Sequence, residues 1–219
     1  MLYIVSTPIG NLKDITLRAL ETLKSVDMIA AEDTRHTKIL LNAYEISKPL
    51  TSFFEHNQDR KTEELIALLK SGKNVALVSD AGTPGISDPG YPLIRRAQEE
   101  GIKVEVIPGP TALITALTAS GLPAHSFIFE GFLPVKSAAR RKKLEELKSL
   151  GRTMIFYESP HRLLASLKDI AHVLDGATVV AARELTKKFE EIKKGSPQEL
   201  LGHFTRQAPK GEFVLLISV

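Results

Sequence analysis

Residues 74–90 read NVALVSDAGTPGISDPG, a short apolar run that leads into a loop rich in glycine and proline. The run at 74–78 has the length and the β-branched content of a buried strand. The loop after it offers many backbone amides and two carboxylates, Asp80 and Asp88, but no lysine. In open α/β sheets, ligands bind at the carboxyl ends of the strands, and this loop occupies such a position.

The alternation of short strand-like runs with helical stretches continues along the chain, and it indicates an α/β fold. Leucines at 17, 20 and 23 recur at the spacing of one helix face. A second such pattern at 65–69 ends at Gly72, a residue type typical of the position after a helix. Strands are predicted at 2–6, 27–31, 51–54, 74–79, 102–107, 126–132, 153–158, 177–182 and 212–219.

The division into domains is predicted from a helix at 110–120, which ends at a Gly-Leu-Pro sequence. Because glycine and proline cluster where helices end and domains meet, we expect two α/β domains, 1–113 and 114–219.

Composition narrows the class of protein. The 219 residues are 43% hydrophobic and 25% charged, with a net charge of +3 and no cysteine. Disulfides and thiolate metal sites are therefore excluded, and the histidines show no metal-ligand spacing, so we expect no metal. No apolar run approaches the roughly 20 residues of a membrane span, and no charged leader precedes the first strand, so we expect a cytoplasmic protein. The slightly basic charge permits a polyanionic partner.

Four loops after predicted strands carry the candidate chemistry, at 7–11, 32–35, 80–90 and 108–112. Neither the phosphate-binding GxxxxGK[ST] motif nor the dinucleotide GxGxxG motif is present. Amides together with Asp80 and Asp88 suit a ligand with a carboxylate, an ammonium and a cationic centre, and S-adenosylmethionine is one such ligand. The residues alone leave ordinary turns open as the alternative.

Seven sequence blocks, taken in order, carry a family resemblance. They are STPIGNLKD at 6–14, AEDTR at 31–35, the loop at 78–90, VIPGP at 106–110, GFLP at 131–134, YESPHR at 157–162 and ARELTK at 182–187. Together they resemble the branch of the tetrapyrrole methylase superfamily that methylates the 2′-hydroxyl of a cytidine in small-subunit (16S) ribosomal RNA. The resemblance implies S-adenosylmethionine in a cleft between the two α/β domains, and a homodimer.

The resemblance also implies the cofactor-binding residues. Glycines at 82 and 85 tolerate positive φ, Asp80 can accept a hydrogen bond or cap its own turn, and Thr111 and Ala112 open a helix whose free amides favour a carboxylate. The predicted cofactor contacts are Pro8, Asp80, Gly82, Gly85, Ile86, Thr111, Ala112, Tyr157, Arg183 and Gly211.

Methylation of a ribose hydroxyl needs a general base within hydrogen-bond reach, because the hydroxyl is a weak acid. Six residues of the motifs and strand-end loops are candidates: Glu32, Asp33, Glu55, His56, Glu158 and Glu184. Glu158 and Glu184 rank first among them as catalytic residues. For each residue taken singly, a salt bridge or a helix cap is the alternative.

A basic segment at 136–143 (KSAARRKK) is the candidate RNA contact. Positive charge in the first turn of a helix opposes the helix dipole, and a polyanion partner would account for it. The alternative is a solvated face with pairs such as Arg141–Glu145. The predicted RNA contacts are Lys136, Arg140, Arg141, Lys142, Lys143, Arg35 and Arg162, with Lys38, Lys187 and Lys188 as candidates to extend them. The expected partner is the rRNA or the assembled 30S subunit.

Two other functions compete with RNA methylation. A methylase of a corrin-type tetrapyrrole would need a more aromatic pocket than 6% aromatic residues provide. A non-catalytic nucleic-acid-binding module would not need the set of cofactor loops. Many members of the resembling branch continue past the last strand into a small helical extension, and we expect no such contribution to RNA docking here.

Overall fold

The apolar run at 75–78 forms the central strand of a parallel sheet, and all four of its residues are buried. The computed structural model describes residues 1–219, which form two compact units, Met1–Thr111 and Ala112–Val219. Each unit combines one five-stranded sheet with helices, so the predicted α/β class is confirmed.

The first unit alternates strands and helices along the chain. Its elements are β1 (Leu2–Val5), a 3₁₀ helix (Leu12–Asp14), α1 (Leu17–Ser25), β2 (Met28–Ala31), α2 (Thr34–Ala43), β3 (Leu50–Ser52), α3 (Gln58–Lys70), β4 (Val75–Val78), α4 (Tyr91–Glu99) and β5 (Val104–Ile107). The strand order is β3-β2-β4-β1-β5, and every pairing is parallel. All of the loops that follow the strands therefore emerge at one edge of the sheet.

Both faces of this parallel sheet are covered, as parallel sheets require. On one face, Leu2 and Leu77 pack with Leu65 of α3 and Leu93 of α4. On the other face, residues such as Val5 and Val78 pack with α1 and α2. Side chains alternate between the two cores along each strand, which explains why the strands read as continuous apolar runs.

The second unit contains a mixed sheet. Its elements are α5 (Ala112–Ser120), β6 (Phe127–Phe132), α6 (Ser137–Lys148), β7 (Thr153–Glu158), α7 (Leu163–Val173), β8 (Thr178–Arg183), β9 (Glu191–Gly195), α8 (Pro197–Arg206) and β10 (Phe213–Ser218). The strand order is β6-β7-β10-β8-β9; only β6 and β7 are parallel, and the other pairs are antiparallel. Helices α6, α7 and α8 share one core with β7, β8 and β10.

All nine predicted strands are present, with ends shifted by one or two residues. Gly72 follows α3 with a φ of +87°, as predicted for a residue after a helix. Of the three leucines at one-face spacing, Leu23 is buried in α1, whereas Leu17 begins the helix and is 79% exposed. Strand β9 was not predicted, since Glu-Ile-Lys-Lys-Gly at a sheet edge has one apolar side chain. No helix is long and apolar enough to span a membrane.

Candidate active site

The candidate loops of the first unit lie at the carboxyl edge of its sheet, around β1. Strand β1 pairs with β4 on one side and with β5 on the other. The connection from β4 to β5 therefore passes over β1. Such a reversal of strand order is where open α/β sheets bind ligands. The loops after β1, β2, β4 and β5 are the four that the sequence singled out.

Hydrogen bonds fasten the loop after β1 to the loop after β4. Thr7 and Gly82 exchange two backbone hydrogen bonds of 2.9 and 3.0 Å. The Thr7 hydroxyl donates to the carbonyl of Ser79 at 3.1 Å, and the hydroxyls of Ser6 and Thr83 lie 2.8 Å apart. These hydrogen bonds fix the backbone of the β4 loop beside the buried Pro8, which follows Thr7.

The β4 loop turns sharply at its glycines. Gly82 and Gly85 have φ values of +79° and +83°, and Ile86 beside them is 45% exposed. Gly90 closes the loop at a φ of +153°, where a Cβ would stand 3.1 Å from the amide nitrogen of Gly85 and 3.2 Å from the Leu77 side chain. The loop therefore accepts no larger residue at position 90 without opening.

Three carboxylates meet where β2 and β4 end. The amide of Asp33 donates to Oδ1 of Asp80 at 3.1 Å, and the amide of Asp80 donates to Oε2 of Glu32 at 3.2 Å. Asp33 caps α2 and binds the Arg35 guanidinium, which holds the pKa of Asp33 well below its usual range. Asp33 is therefore a fixed anion and a poor base.

Glu32 has the opposite electrostatic environment. Burial, followed by the neighbouring charges of Asp80 and Asp33, raises the pKa of Glu32; the Asp80 amide and His36 oppose this rise. Arg35, the basic residue of the same loop, pairs with Asp33 instead. A half-buried carboxylate with a raised pKa at the ligand edge of a sheet is suited to accept a proton.

The predicted site residues of the second unit gather at one end of its sheet. Phe213 of β10 pairs with Glu158 on one side and with Arg183 on the other, and Val214 pairs with Tyr157. The Tyr157 ring makes edge contacts with Phe129 and Phe132 of β6, at centroid distances of 5.0 and 6.0 Å. Gly211 and Glu184 lie in the loops that adjoin this end.

The structure does not support Glu158 as a catalytic base. Its side chain is fully buried, and it accepts hydrogen bonds from the Ser159 amide (2.9 Å) and the Ser166 hydroxyl (2.5 Å). Nε of Arg162 lies 3.3 Å from its carboxylate. A carboxylate so enclosed joins β7 to the start of α7 and cannot reach a ribose, so the prediction is corrected to a structural role.

Glu184 is held as an anion. Its Oε1 accepts hydrogen bonds from Lys187 (3.0 Å) and from the amide of Glu212 (3.1 Å). Burial acts to raise the pKa of Glu184, but the Glu212 amide and Lys187 outweigh it, and the pKa lies below its usual range. Gly211, at a φ of +81°, packs so closely on this carboxylate that a Cβ there would overlap it. Glu184 therefore orders two loops and is a weak base.

The basic segment provides less free charge than its sequence suggests. Arg140 is 4% exposed, and its guanidinium binds Asp169 of α7 and the carbonyls of Pro134 and Val135. The prediction that Arg140 contacts RNA is therefore wrong. Arg162 differs from Arg140, because its side chain is 26% exposed although its guanidinium binds Glu158 and the carbonyl of Leu133, and its contact with RNA stays a prediction.

The other predicted RNA contacts divide into paired and free cations. Arg141 binds Asp169 at 2.6 Å and Lys143 binds Glu130 at 2.9 Å, although both side chains stay partly exposed. Arg35 is exposed but bonded to Asp33. Lys142 is 81% exposed, with Glu146 only at 4.0 Å, and Lys136 is exposed as well. Lys136, which precedes α6, and Lys142 on α6 are therefore the two exposed lysines of the basic segment with the least pairing.

Comparison with known proteins identifies the family. Residues 1–201 match the model of the Tetrapyrrole (Corrin/Porphyrin) Methylases, and the chain belongs to this family. It is therefore a methyltransferase that depends on S-adenosylmethionine.

Its curated relatives share one name. A protein of Thermotoga maritima is 51% identical over 99% of this chain and 97% of its own length, and it is named "Ribosomal RNA small subunit methyltransferase I". Proteins of Vibrio cholerae (56% identical) and Bacillus subtilis (49%) bear the same name; the match covers 99% of this chain and 76% and 74% of theirs.

Solved structures share the fold. The crystal structure of a diphthine synthase superposes with a TM-score of 0.77 at 16% identity, covering 100% of this chain and 89% of that one. A cobalt precorrin-4 methyltransferase superposes with a TM-score of 0.72 at 19% identity, covering 98% and 93%. At these identities the likeness concerns the fold.

Proposed function

We propose that this protein transfers a methyl group from S-adenosylmethionine to the 2′-hydroxyl of a cytidine in small-subunit (16S) ribosomal RNA. The observation that carries the proposal is the 51% identity to the Thermotoga maritima relative over nearly the whole length of both chains. The corrin-type alternative is supported by solved structures at 19 and 22% identity, and the curated relatives compared above are named as methyltransferases.

The first unit fits the cofactor. S-adenosylmethionine supplies a methyl group on a cationic sulfur and also carries an ammonium and a carboxylate. Asp80 presents a carboxylate beside the amide-rich β4 loop, and this combination suits a ligand with both charges. The proposed contacts are Pro8, Asp80, Gly82, Gly85, Ile86, Thr111, Ala112, Tyr157, Arg183 and Gly211.

We propose Glu32 as the general base in place of Glu158 and Glu184. Methyl transfer is an in-line displacement, so the chain has to position the ribose and accept the proton of its hydroxyl. Glu32 combines a raised pKa with a position at the carboxyl edge of the sheet, and its Oε2 is already oriented by the Asp80 amide. Among the other candidate bases, Glu158 is enclosed, and Asp33 and Glu184 are paired with cations.

Methyl transfer from labelled cofactor tests the function. Purified enzyme is incubated with 16S rRNA, with intact 30S subunits and with a corrin-type tetrapyrrole. We expect label in an RNA substrate, at a cytidine whose 3′ phosphodiester resists alkali, because a 2′-O-methyl group blocks the attack on that phosphate. Label in the tetrapyrrole, or in RNA on a base with the phosphodiester still labile, would overturn the proposal.

The two exposed lysines of the basic segment, Lys136 and Lys142, give a prediction for RNA binding. Replacing Lys136 and Lys142 with glutamine is expected to reduce the slope of log K against log salt by roughly 0.7 for each single-strand phosphate that the variant no longer neutralises. Lys24 and Lys103 provide the matched control, since both are exposed at the opposite edge of the first sheet. If log K against log salt has the same slope in this double variant and in the wild type, the two lysines are solvated and do not bind RNA.

We extend the proposal to a cytoplasmic homodimer, because ribosomal RNA is the substrate and the resembling branch usually dimerises. Exposed apolar side chains support an interface: Phe132 of the edge strand β6 is 53% exposed, and Val135 after it is 75% exposed. Light scattering of the purified enzyme measures the mass directly, and a monomer at all concentrations would contradict the extension.

A further inference from the structure

The basic side chains of the first unit differ in how they are paired. Between residues 58 and 103, which include α3 and α4, every lysine and arginine lies within 3.7 Å of a carboxylate oxygen. Between residues 1 and 57, which include α1 and α2, only Arg35 forms such a pair. The other cations of this part have no carboxylate within ion-pair distance; they are Lys13, Arg18, Lys24, Lys38 and Lys48. Positive charge without a partner is therefore concentrated around α1 and α2.

Three of these unpaired cations lie toward the ligand edge of the sheet. Lys13 belongs to the 3₁₀ helix after β1, Arg18 is the second residue of α1, and Lys38 is the fifth residue of α2. All three are exposed. Since β1 and β2 run in the same direction, α1 and α2 both begin at the edge that carries the candidate loops. Lys13, Arg18 and Lys38 therefore form a free basic surface beside the candidate active site.

The free basic surface is unfavourable for the isolated protein. Neither α1 nor α2 has an acidic residue in its first turn, and Arg18 and Arg35 stand there instead, against the helix dipole. The same two helices leave Leu17 and Ile39 in solvent, at 79% and 61% exposure. A polyanion would neutralise the cations, and apolar side chains between them can contact its sugars and bases.

We propose that the ribosomal RNA strand with the target cytidine crosses the starts of α1 and α2, and that Lys13, Arg18 and Lys38 bind its phosphates. The inference rests on the proposed function, and it names the surface with which the first unit holds the substrate. Glu32 directly precedes Asp33, the cap of α2, so this path leads a ribose to the proposed general base. Phosphate contacts carry no sequence information, so the surface positions the strand and does not select the base.

The salt dependence of binding to 16S rRNA tests the surface. Replacing its three cations with glutamine is expected to lower the slope of log K against log salt by roughly 0.7 per single-strand phosphate, roughly 2 in all. Affinity for S-adenosylmethionine should stay unchanged, which shows that the variant is folded. A control variant removes the same charge at the opposite edge of the sheet, from Lys24, Lys73 and Lys103. A slope equal to that of the control variant would overturn the proposal.

Cross-linking locates the strand while every cation stays in place. The chain has no cysteine, so Leu17→Cys and Ser25→Cys each provide one site for a short photo-cross-linker. Both positions are exposed, and they lie at the two ends of α1, about 12 Å apart. We expect Leu17→Cys to cross-link to 16S rRNA and Ser25→Cys to do so much less.

The outcomes separate this surface from the proposed function. Equal yields from Leu17→Cys and Ser25→Cys, while the wild-type enzyme methylates rRNA, would overturn the surface and leave the function standing. In 30S subunits, cross-links from Leu17→Cys to a ribosomal protein and not to the rRNA would also overturn it. A wild-type enzyme that transfers no methyl group to RNA would instead overturn the proposed function.

Discussion

Glu32→Gln is expected to lower kcat for rRNA methylation by roughly 10²- to 10⁴-fold, the typical contribution of a general base. Glutamine keeps the shape of the side chain and an oxygen that can still accept the hydrogen bond of the Asp80 amide. Binding of RNA and cofactor should therefore change little. Single-turnover kinetics, with the affinities of both substrates measured separately, distinguish a defect in proton transfer from a defect in binding.

The pH dependence strengthens this test. Since only the ionised carboxylate accepts a proton, the wild-type rate should rise with pH through the raised pKa of Glu32 and then level off. Asp80, Asp33 and His36 are the charged neighbours that set this pKa. The Glu32→Gln rate should lack that rise. Glu55→Gln, an exposed carboxylate after β3, is the control; equal kcat values for both variants would exclude Glu32 as the base.

Stability should move in the opposite direction from activity at this position. A raised pKa means that the folded protein holds the proton more tightly than the unfolded chain does. The ionised carboxylate consequently destabilises the fold above its unfolded pKa, and Glu32→Gln should not lower Tm at neutral pH. Loss of activity without loss of stability is characteristic of a catalytic group.

Asp169→Ala is expected to destabilise the protein by about 3–5 kcal/mol, because it leaves the buried Arg140 without its counter-charge. Asp169 and Arg140 are each about 4% exposed at the side chain, and Arg141 and Ser137 also bind the same carboxylate. Urea unfolding at neutral pH measures the change. Asp175→Ala, at the exposed end of α7, is the control and should stay within about 0.5 kcal/mol of wild type.

The contribution of Asp169 should disappear in acid. Burial acts to raise the pKa of Asp169, but Arg141, Ser137 and Arg140 outweigh it and lower the pKa below 3.8. The stabilisation is therefore complete above the unfolded pKa and is lost as the pH falls through the folded value. The difference in unfolding free energy between wild type and Asp169→Asn should shrink over that range. A difference that is constant with pH would mean that charge is not its source.

The strands and the ligand loops could be predicted because both are local signals. β-Branched runs indicate strands, and glycine-rich segments after them indicate where a parallel sheet binds ligands. The roles of Arg140 and Glu158 could not be predicted in this way. Arg140 is neutralised by Asp169, 29 residues away on another helix, and Glu158 is enclosed by α7. The YESPHR block drew attention to Glu158 and the basic segment drew attention to Arg140, but burial in the folded protein decides the chemistry of both.

The partners of Glu158 were partly visible in the sequence, as the spacing between residues. Glu158 precedes Arg162 by four residues and Ser166 by eight, and these two residues bind its carboxylate in the structure. The pocket lined by Arg183, Glu184 and Gly211 was signalled only through the family resemblance, because two loops that are distant in sequence form it. The polar strand β9 likewise depends on its pairing with β8.

The position of β10 has a consequence for biosynthesis. This strand is the last of the second sheet to be synthesised, yet it lies between β7 and β8, which do not pair with each other. During translation the first unit can complete its sheet early, whereas the second must wait with two unpaired apolar strand edges until Phe213–Ser218 emerges. A chain interrupted before residue 213 would therefore carry exposed edges that favour aggregation, and ribosome stalling late in the message would be more harmful than stalling at the unit boundary.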